Sequence, residues 1–519
     1  MLTALWLAPL VVAAVLAAVP AARREVVLGA WLVLTVAEVV GAGFVWTAVP
    51  RAGGFASEVA APWIPAFGVG YHLGADGFSA PLVAMTAVVF LAVALGSLRR
   101  PDVEDPARTR AFVLLFLALE AVGIGVFLAL DLVLFFVFFD LSIVLMYFVI
   151  AGWGSGARTR SALQFFLYTF LGSLVMLLGF LVLAVGARDH GGITFDIPTL
   201  AARNPLAGQG VTGALALAAI GIGLAIKTPV WPVHTWLPPA HTDAPAAGSA
   251  VLAAVLLKMG TYGFVRIAMP LLPGPWRSAA LVFVVLGVVS VLWGALVALA
   301  QRDLKRMVAY TSITHLGYVV LAVGAAGFVA AGPEARILAV TGATVQMVSH
   351  GLITAALFLL TGVLRRRGGT SEIAAWSGLA GPMPRFSWTF ALAAFASLGL
   401  PGLSGFVGEF SLLAGSLPAV PVWTVLAALG LALTAALFLR ALQAMLLGDR
   451  HLPARAERPP VPRAGLARFR APGSPDLRVA ETTAVGLLLA CSLAVGVAPA
   501  LLTTTIAPAA AQVVALVSR

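Results

Sequence analysis

Apolar runs long enough to cross a bilayer follow one another along almost the whole of this 519-residue chain, and that succession leaves few folds open. A run of about 18 or more apolar residues reads as a transmembrane helix, because backbone exposed to hydrocarbon must be satisfied within its own segment or in a closed barrel. Fourteen such runs occur, near 3–21, 26–48, 78–97, 111–130, 132–153, 161–186, 211–231, 246–271, 279–300, 307–329, 337–363, 386–412, 421–446 and 481–504. With 61% hydrophobic and 10% charged residues, a soluble globule is excluded. The expected fold class is an all-α polytopic membrane protein of about 14 transmembrane helices. The first run lacks a basic leading segment and is closely followed by others, so it reads as a retained span rather than a signal peptide.

The net charge of +11 raises the question of a polyanionic partner, and its distribution answers it. With the N-terminus outside, 22 lysines and arginines fall in the inner loops, from Arg23 and Arg24 to the seven arginines between Arg450 and Arg478. Only six fall outside: Arg51, Arg188, Arg203, Arg277, Arg336 and Arg519. That asymmetry orients a multi-pass protein with both termini outside. The charge reports topology in a cell membrane, with lipid as the partner and no nucleic acid. The single cysteine, Cys491, excludes an iron–sulfur cluster or an internal disulfide within this chain.

Two spans are interrupted, one around Pro229 and Pro232 and one around Pro401 and Gly402. Proline removes a backbone donor and clashes with the preceding turn, so each helix is expected to split in two. The breaks lie 172 residues and five spans apart, and an odd number of spans inverts the second unit relative to the first. The expected organisation is an N-terminal three-helix region (1–110) and two inverted five-helix repeats, each with a broken helix. Spans 4–8 form the first repeat (111–272) and spans 9–13 the second (273–448). An Arg- and Pro-rich inner loop (449–480) and a C-terminal helix (481–519) follow. Broken helices in corresponding positions of two halves are a transporter signature.

Only three lysines stand against 29 arginines, yet two of them, Lys227 and Lys258, sit in the middle of apolar runs. An ammonium releases its proton when desolvated and a guanidinium does not, so lysine persists where a protonation cycle is needed. Mid-span titratable groups recur in one run after another: Glu120, Asp140, Lys227, Lys258, His315, His350 and Glu409. A charge at the bilayer centre costs about 2.5–3.5 kcal/mol on insertion scales, so these groups must turn inward and pair. The reading is a polar line in the membrane plane. An Asp140–Lys227 ion pair acts as its charge switch, Lys258, His315 and His350 relay the proton, and Glu409 beside the second break is an exit. The alternatives are structural ion pairs for the lysines and interhelical hydrogen bonds for the histidines. Glu120 is evenly placed between the two roles. Glu38 lies outside the repeats and reads as structural, and Asp131 reads as a cap. His234, His241 and Asp243, after the first break, form either an inner access route or partners for frayed backbone. A haem between His315 and His350 is disfavoured, because they stand alone within the spans among charged neighbours.

Six long motifs then carry a resemblance: GYHLGADGFSAPLVAMTA (70–87), FFVFFDLSIVLMYFVIAGWG (135–154), AIKTPVWPVHTWLPPAHTDAPAAGSAVLAAVLLKMGTYGFVR (225–266), RDLKRMVAYTSITHLGYV (302–319), QMVSHGLITAALFLLTG (346–362) and SLGLPGLSGFVGEFSLL (397–413). In these the chain resembles the antiporter-like, proton-translocating subunits of respiratory complex I and their Mrp antiporter relatives, over nearly its whole length. It is most similar to the M-type subunit of NADH:quinone oxidoreductase, since related L- and N-type subunits usually carry lysine in place of Glu409. The resemblance implies a bacterial plasma-membrane subunit without redox cofactors, with NADH, flavin, iron–sulfur and quinone chemistry in partner subunits of the assembly. It places Asp140, Lys227, Lys258, His315, His350 and Glu409 at the family's proton-path positions; Glu120, His234 and His241 remain secondary proton-path candidates on their own residue chemistry. The family's span-5 acid is normally glutamate, so Asp140 reaches one methylene less far. An Mrp-type cation/proton antiporter component and a purely structural membrane anchor are the competing readings.

Overall fold

The computed structural model describes residues 1–19, 23–98, 105–453, 456 and 476–519. Most of the inner loop expected at 449–480 lies outside the described residues. The described chain is nearly all helical, and thirteen of its helices are long and apolar enough to cross a membrane. The expected spans are met as follows: span 1, Leu2–Ala18; span 2, Arg24–Thr47; span 3, Ser79–Ser97; span 4, Pro106–Leu128; span 5, Leu132–Trp153; span 6, Arg158–Gly186. Span 7 is Gly210–Lys227 followed by Leu237–Asp243, span 8 is Ala246–Leu271, span 9 is Pro273–Leu299 and span 10 is Leu304–Ala325. Span 11 is Pro333–Gly368, span 12 is Pro384–Ser397 followed by Ser404–Ser416, span 13 is Pro421–Leu446 and span 14 is Val479–Val497.

The prolines break spans 7 and 12 as the sequence dictates, and each break is rewired locally. After Lys227 the Val230 amide donates to Ala225 O at 2.9 Å, and the Trp231 amide to Ser290 Oγ of span 9 at 3.0 Å. The Trp236 indole satisfies the freed Ile226 carbonyl at 2.9 Å. In span 12 the chain turns through Gly399 (φ +78°) and Gly402 (φ +92°), left-handed positions that favour glycine, around Pro401. The two broken spans, 7 and 12, stand five spans apart in the chain. Spans 8, 10 and 11 are buried almost all round, whereas in spans 2 and 13 only about a third of the residues along the apolar stretch are buried. The lysine and the two histidines carried by those three spans therefore sit at the protein's centre.

Two features depart from the sequence reading. The loop expected at 51–77 holds an antiparallel hairpin, β1 (Ala56–Ile64) and β2 (Val69–Ala75). The three alanines and the proline of β1 and the two glycines of β2 mask its alternation. His72 on β2 contacts Asp196 Oδ2 at 2.5 Å and Glu58 Oε1 at 2.8 Å, and the Asp196 contact raises its pKa above the ordinary histidine value against the opposing effect of burial. Asp131 caps span 5 through the Val133 and Leu134 amides and also accepts from Gly70 N of the hairpin at 3.0 Å.

Beyond Val497 the chain does not continue one helix. It breaks at Ala498–Pro499 and restarts as Ala500–Val517. This terminal helix meets Trp46 at the end of span 2 (Nε1 to Thr505 Oγ1, 3.1 Å), Arg277 at the start of span 9 and Arg336 at the start of span 11. All three lie at the outer ends of their spans, so the helix lies across that face rather than through the bilayer. About 27 Å long by its rise, it joins the end of span 2 to the starts of spans 9 and 11 from outside.

Candidate functional site

The central residues form a contact line. Lys258 Nζ lies 2.5 Å from His350 Nδ1 and donates to Ala253 O at 2.6 Å. Ala253 belongs to a π-helical stretch, Leu252–Leu256, and such bulges are frequent at functional sites. The His350 and His315 rings are 5.5 Å apart. His315 Nδ1 lies 3.0 Å from Glu409 Oε1, and its Nε2 lies 3.2 Å from Ser397 Oγ. Gln346 donates to the same Glu409 oxygen at 3.4 Å. Lys258, His315, His350 and Glu409 are all buried, so the line has no contact with lipid. A cavity of about 10 Å³ lies between Glu409 and the two histidines, at the lower limit for one water. His350 Nε2 has no protein partner. With Lys258 donating to Nδ1, Nε2 carries the neutral ring's proton. Gly399 keeps the far end open: a Cβ there would lie 2.6 Å from Glu409 Oε2.

The other end differs from expectation. Asp140 and Lys227 form no ion pair within 4 Å. Lys227 Nζ donates instead to Ser142 Oγ at 3.0 Å and lies 4.6 Å above the Phe139 ring. Ser142 in turn donates to Phe139 O at 2.6 Å, which leaves its lone pairs free for the ammonium. Two positions apart on a helix, Asp140 and Ser142 point in widely different directions. The shorter aspartate turns toward Ser173 of span 6, and its Oδ1 has no partner. Between Lys227 and Lys258, spans 7 and 8 meet at Thr228 and Gly260, where a Cβ would lie 2.4 Å from Thr228 Oγ1. That hydroxyl is buried without a partner.

We expect Asp140→Asn to impair coupled proton movement and Asp140→Glu to retain it, because the longer acid regains the reach toward Lys227. Ser142→Ala in the Asp140→Glu background tests the substitution of partners. Pumping by reconstituted vesicles is the readout, and equal loss with Asn and Glu at position 140 would show that side-chain length rather than charge is sensed.

None of the secondary candidates makes a hydrogen bond to the line, although His241 lies within electrostatic reach of Lys258 and His350. Glu120 is fully buried and neither of its oxygens has a partner. Its titratable neighbour is Glu38 of span 2, whose Oε2 is likewise unpartnered among the described residues. A Trp31–Phe112–Phe116 aromatic cluster lies toward the inner side, about two turns from Glu38 and one to two turns from Glu120. His241 is buried, stacks on Phe358 at 4.6 Å and has no hydrogen-bond partner at either ring nitrogen. His234 is buried with Nδ1 unpartnered. Asp243 accepts from Ser161 Oγ at 2.6 Å, and its carbonyl accepts from Ser155 N at 2.7 Å, so it fastens the loop after span 5.

Three polar contributors, Ser142, Gln346 and Ser397, were not singled out in the sequence, because serine and glutamine in an apolar run carry no distinctive signal. A fourth feature had one: Arg266 is a buried arginine within span 8. It pairs with Asp76 at 2.5 Å and donates to Tyr262 Oη at 2.9 Å, joining span 8 to the junction of the hairpin and span 3.

A family model described as NADH:quinone oxidoreductase/Mrp antiporter, TM, matches residues 129–434. The chain belongs to that family. It is 40% identical over 387 residues to the NADH-quinone oxidoreductase subunit M of Rickettsia felis, covering 75% of each chain. Its fold matches a chain of respiratory complex I from Thermus thermophilus with TM-score 0.84 and 30% identity over 100% of both chains. It also matches a chain of the Mrp complex from a Dietzia species with TM-score 0.83 and 25% identity, over 99% of this chain and 97% of that one. The matched family segment contains both breaks and every residue of the central line.

Proposed function

We propose that the chain is a proton-translocating membrane subunit of an NADH:quinone oxidoreductase-type complex, working beside other membrane and peripheral subunits in a bacterial plasma membrane. The observation that carries this reading is the buried sequence Lys258–His350–His315–Glu409, in which each group can hold or pass a proton and neighbours lie within one hydrogen bond or one water. A proton released by Lys258 reaches His350 Nδ1, the Nε2 proton leaves toward the small cavity, and His315 hands it to Glu409 beside the second break. Histidine suits the middle of such a relay because its unperturbed pKa is near 6.5. The lysines store the proton: withdrawing a countercharge lowers a desolvated amine's proton affinity, and returning it restores that affinity. A conformational or electrostatic signal from partner subunits then moves protons without redox chemistry in this chain. NADH, flavin, iron–sulfur and quinone chemistry belongs to those partners, and the single cysteine leaves cluster ligation to them.

The test is to purify the native assembly from its membrane. Companion subunits bearing flavin and iron–sulfur clusters, and NADH-driven acidification of vesicles without a sodium requirement, are expected. Sodium-dependent ΔpH in vesicles lacking NADH would replace this reading with an Mrp-type cation/proton antiporter.

A further inference from the structure

A crevice of about 870 Å³ opens between the first half of span 7 and span 9, where the two five-helix units meet. Its walls are apolar, formed by residues such as Leu217, Ile222, Val282, Phe283 and Leu286. Ile222 and Val282 are also exposed on the chain's outer flank, so the crevice is open from the side. It follows span 7 from Gly210 to Ala225, roughly 22 Å by helical rise, which is the scale of an extended acyl chain rather than a compact metabolite. Its deep end touches Ala225 and Val230, the two residues joined by the hydrogen bond that rewires the first break. Its mouth, at the face that the charge asymmetry assigns to the outside, carries Asn204, Gln209, Arg277, Ser278 and Arg519.

The mouth selects the occupant. Among the described residues, two guanidinium groups line the crevice and no acidic side chain does. Arg277 is anchored by Nη1 to Val517 O at 2.6 Å and takes no carboxylate partner among the described residues, so its remaining N–H donors are free for an anion. A guanidinium fork suits a phosphodiester. An apolar slot of this size inside a bilayer gains dispersion contacts when a chain fills it and forfeits them when it stays void.

We propose that this crevice is a binding site for one anionic phospholipid of the outer leaflet. One acyl chain lies along span 7, and the phosphate is held by Arg277 and Arg519. The chain end packs beneath the Ala225–Val230 turn and supports the break next to Lys227 without touching the lysine. The lipid is thereby a structural part of the hinge between the two units.

The experiment uses the whole complex, purified in detergent and exposed to phosphatidylcholine containing graded phosphatidylglycerol, with bound lipid counted by native mass spectrometry. Arg277→Gln with Arg519→Gln removes the headgroup contacts, and Ala218→Trp fills the crevice independently of charge. Each is expected to cut retained phosphatidylglycerol by about tenfold, the scale of one lost charge-assisted contact, with assembly checked on native gels. Equal retention in wild type and both variants would overturn the proposal. So would equal retention of phosphatidylcholine, or a photo-crosslinker at Val282 that captures a partner-subunit helix in place of lipid.

Discussion

Replacing Lys227 with alanine is expected to leave the chain inserted and assembled while proton pumping by the complex falls to background. Loss of a positioned proton-transfer group typically costs about 10²–10⁴-fold. The sharper test is Lys227→Arg. A guanidinium keeps the positive charge opposite Ser142 and Phe139 but does not release a proton under these conditions. If the lysine served only to lock spans 5 and 7 together, arginine would preserve much of its work. If it cycles its proton, arginine fails as alanine does. NADH oxidation by partner subunits, measured alongside vesicle acidification, separates lost pumping from lost assembly. Normal acidification with arginine at 227 would return this residue to a structural role, and normal acidification after neutralising Lys258 as well would favour the membrane-anchor reading for the whole chain.

Much of this was legible in the sequence because membrane insertion imposes strong rules. Hydrophobic length marked the spans, and proline marked both breaks. The cost of burying charge made each mid-span lysine, histidine and acid conspicuous. What remained illegible depended on rotation about helix axes. Depth along a span follows from residue number, but facing does not. The sequence therefore placed Asp140 and Lys227 at one level without revealing that Ser142, two residues on, takes the ammonium. Glu120 was likewise at the right depth, yet it faces Glu38 rather than the line. The third lysine shows the same limit. Lys305 reads as an inner-loop cation but is buried and donates to the carbonyls of Ala244 at 2.5 Å and Thr242 at 3.3 Å, stapling span 10 to the end of broken span 7. In the sequence the terminal helix is continuous with span 14, because both are apolar. Only Pro499 and the contacts to Trp46, Arg277 and Arg336 show that it lies flat.

Glu409→Gln carries the second large effect. The amide is nearly isosteric with the carboxyl and keeps an acceptor for Gln346, so packing against Gly399 is preserved. It cannot take a proton from His315, which lies 3.0 Å away, and pumping is expected to fall by about 10²-fold or more. Glu409→Asp retains an acid with one methylene less reach and should restore part of the activity. Gly399→Ala probes the same group from the other side, because its methyl would press on the carboxylate and, at φ +78°, strain the turn. The order Asp above Gln is the diagnostic. A structural role for Glu409 would favour the isosteric amide over the shorter acid, whereas a proton-carrying role reverses the ranking. Vesicle acidification decides between them, and a glutamine variant that pumps as well as wild type would remove Glu409 from the path and leave His315 with Ser397 as the end of the line.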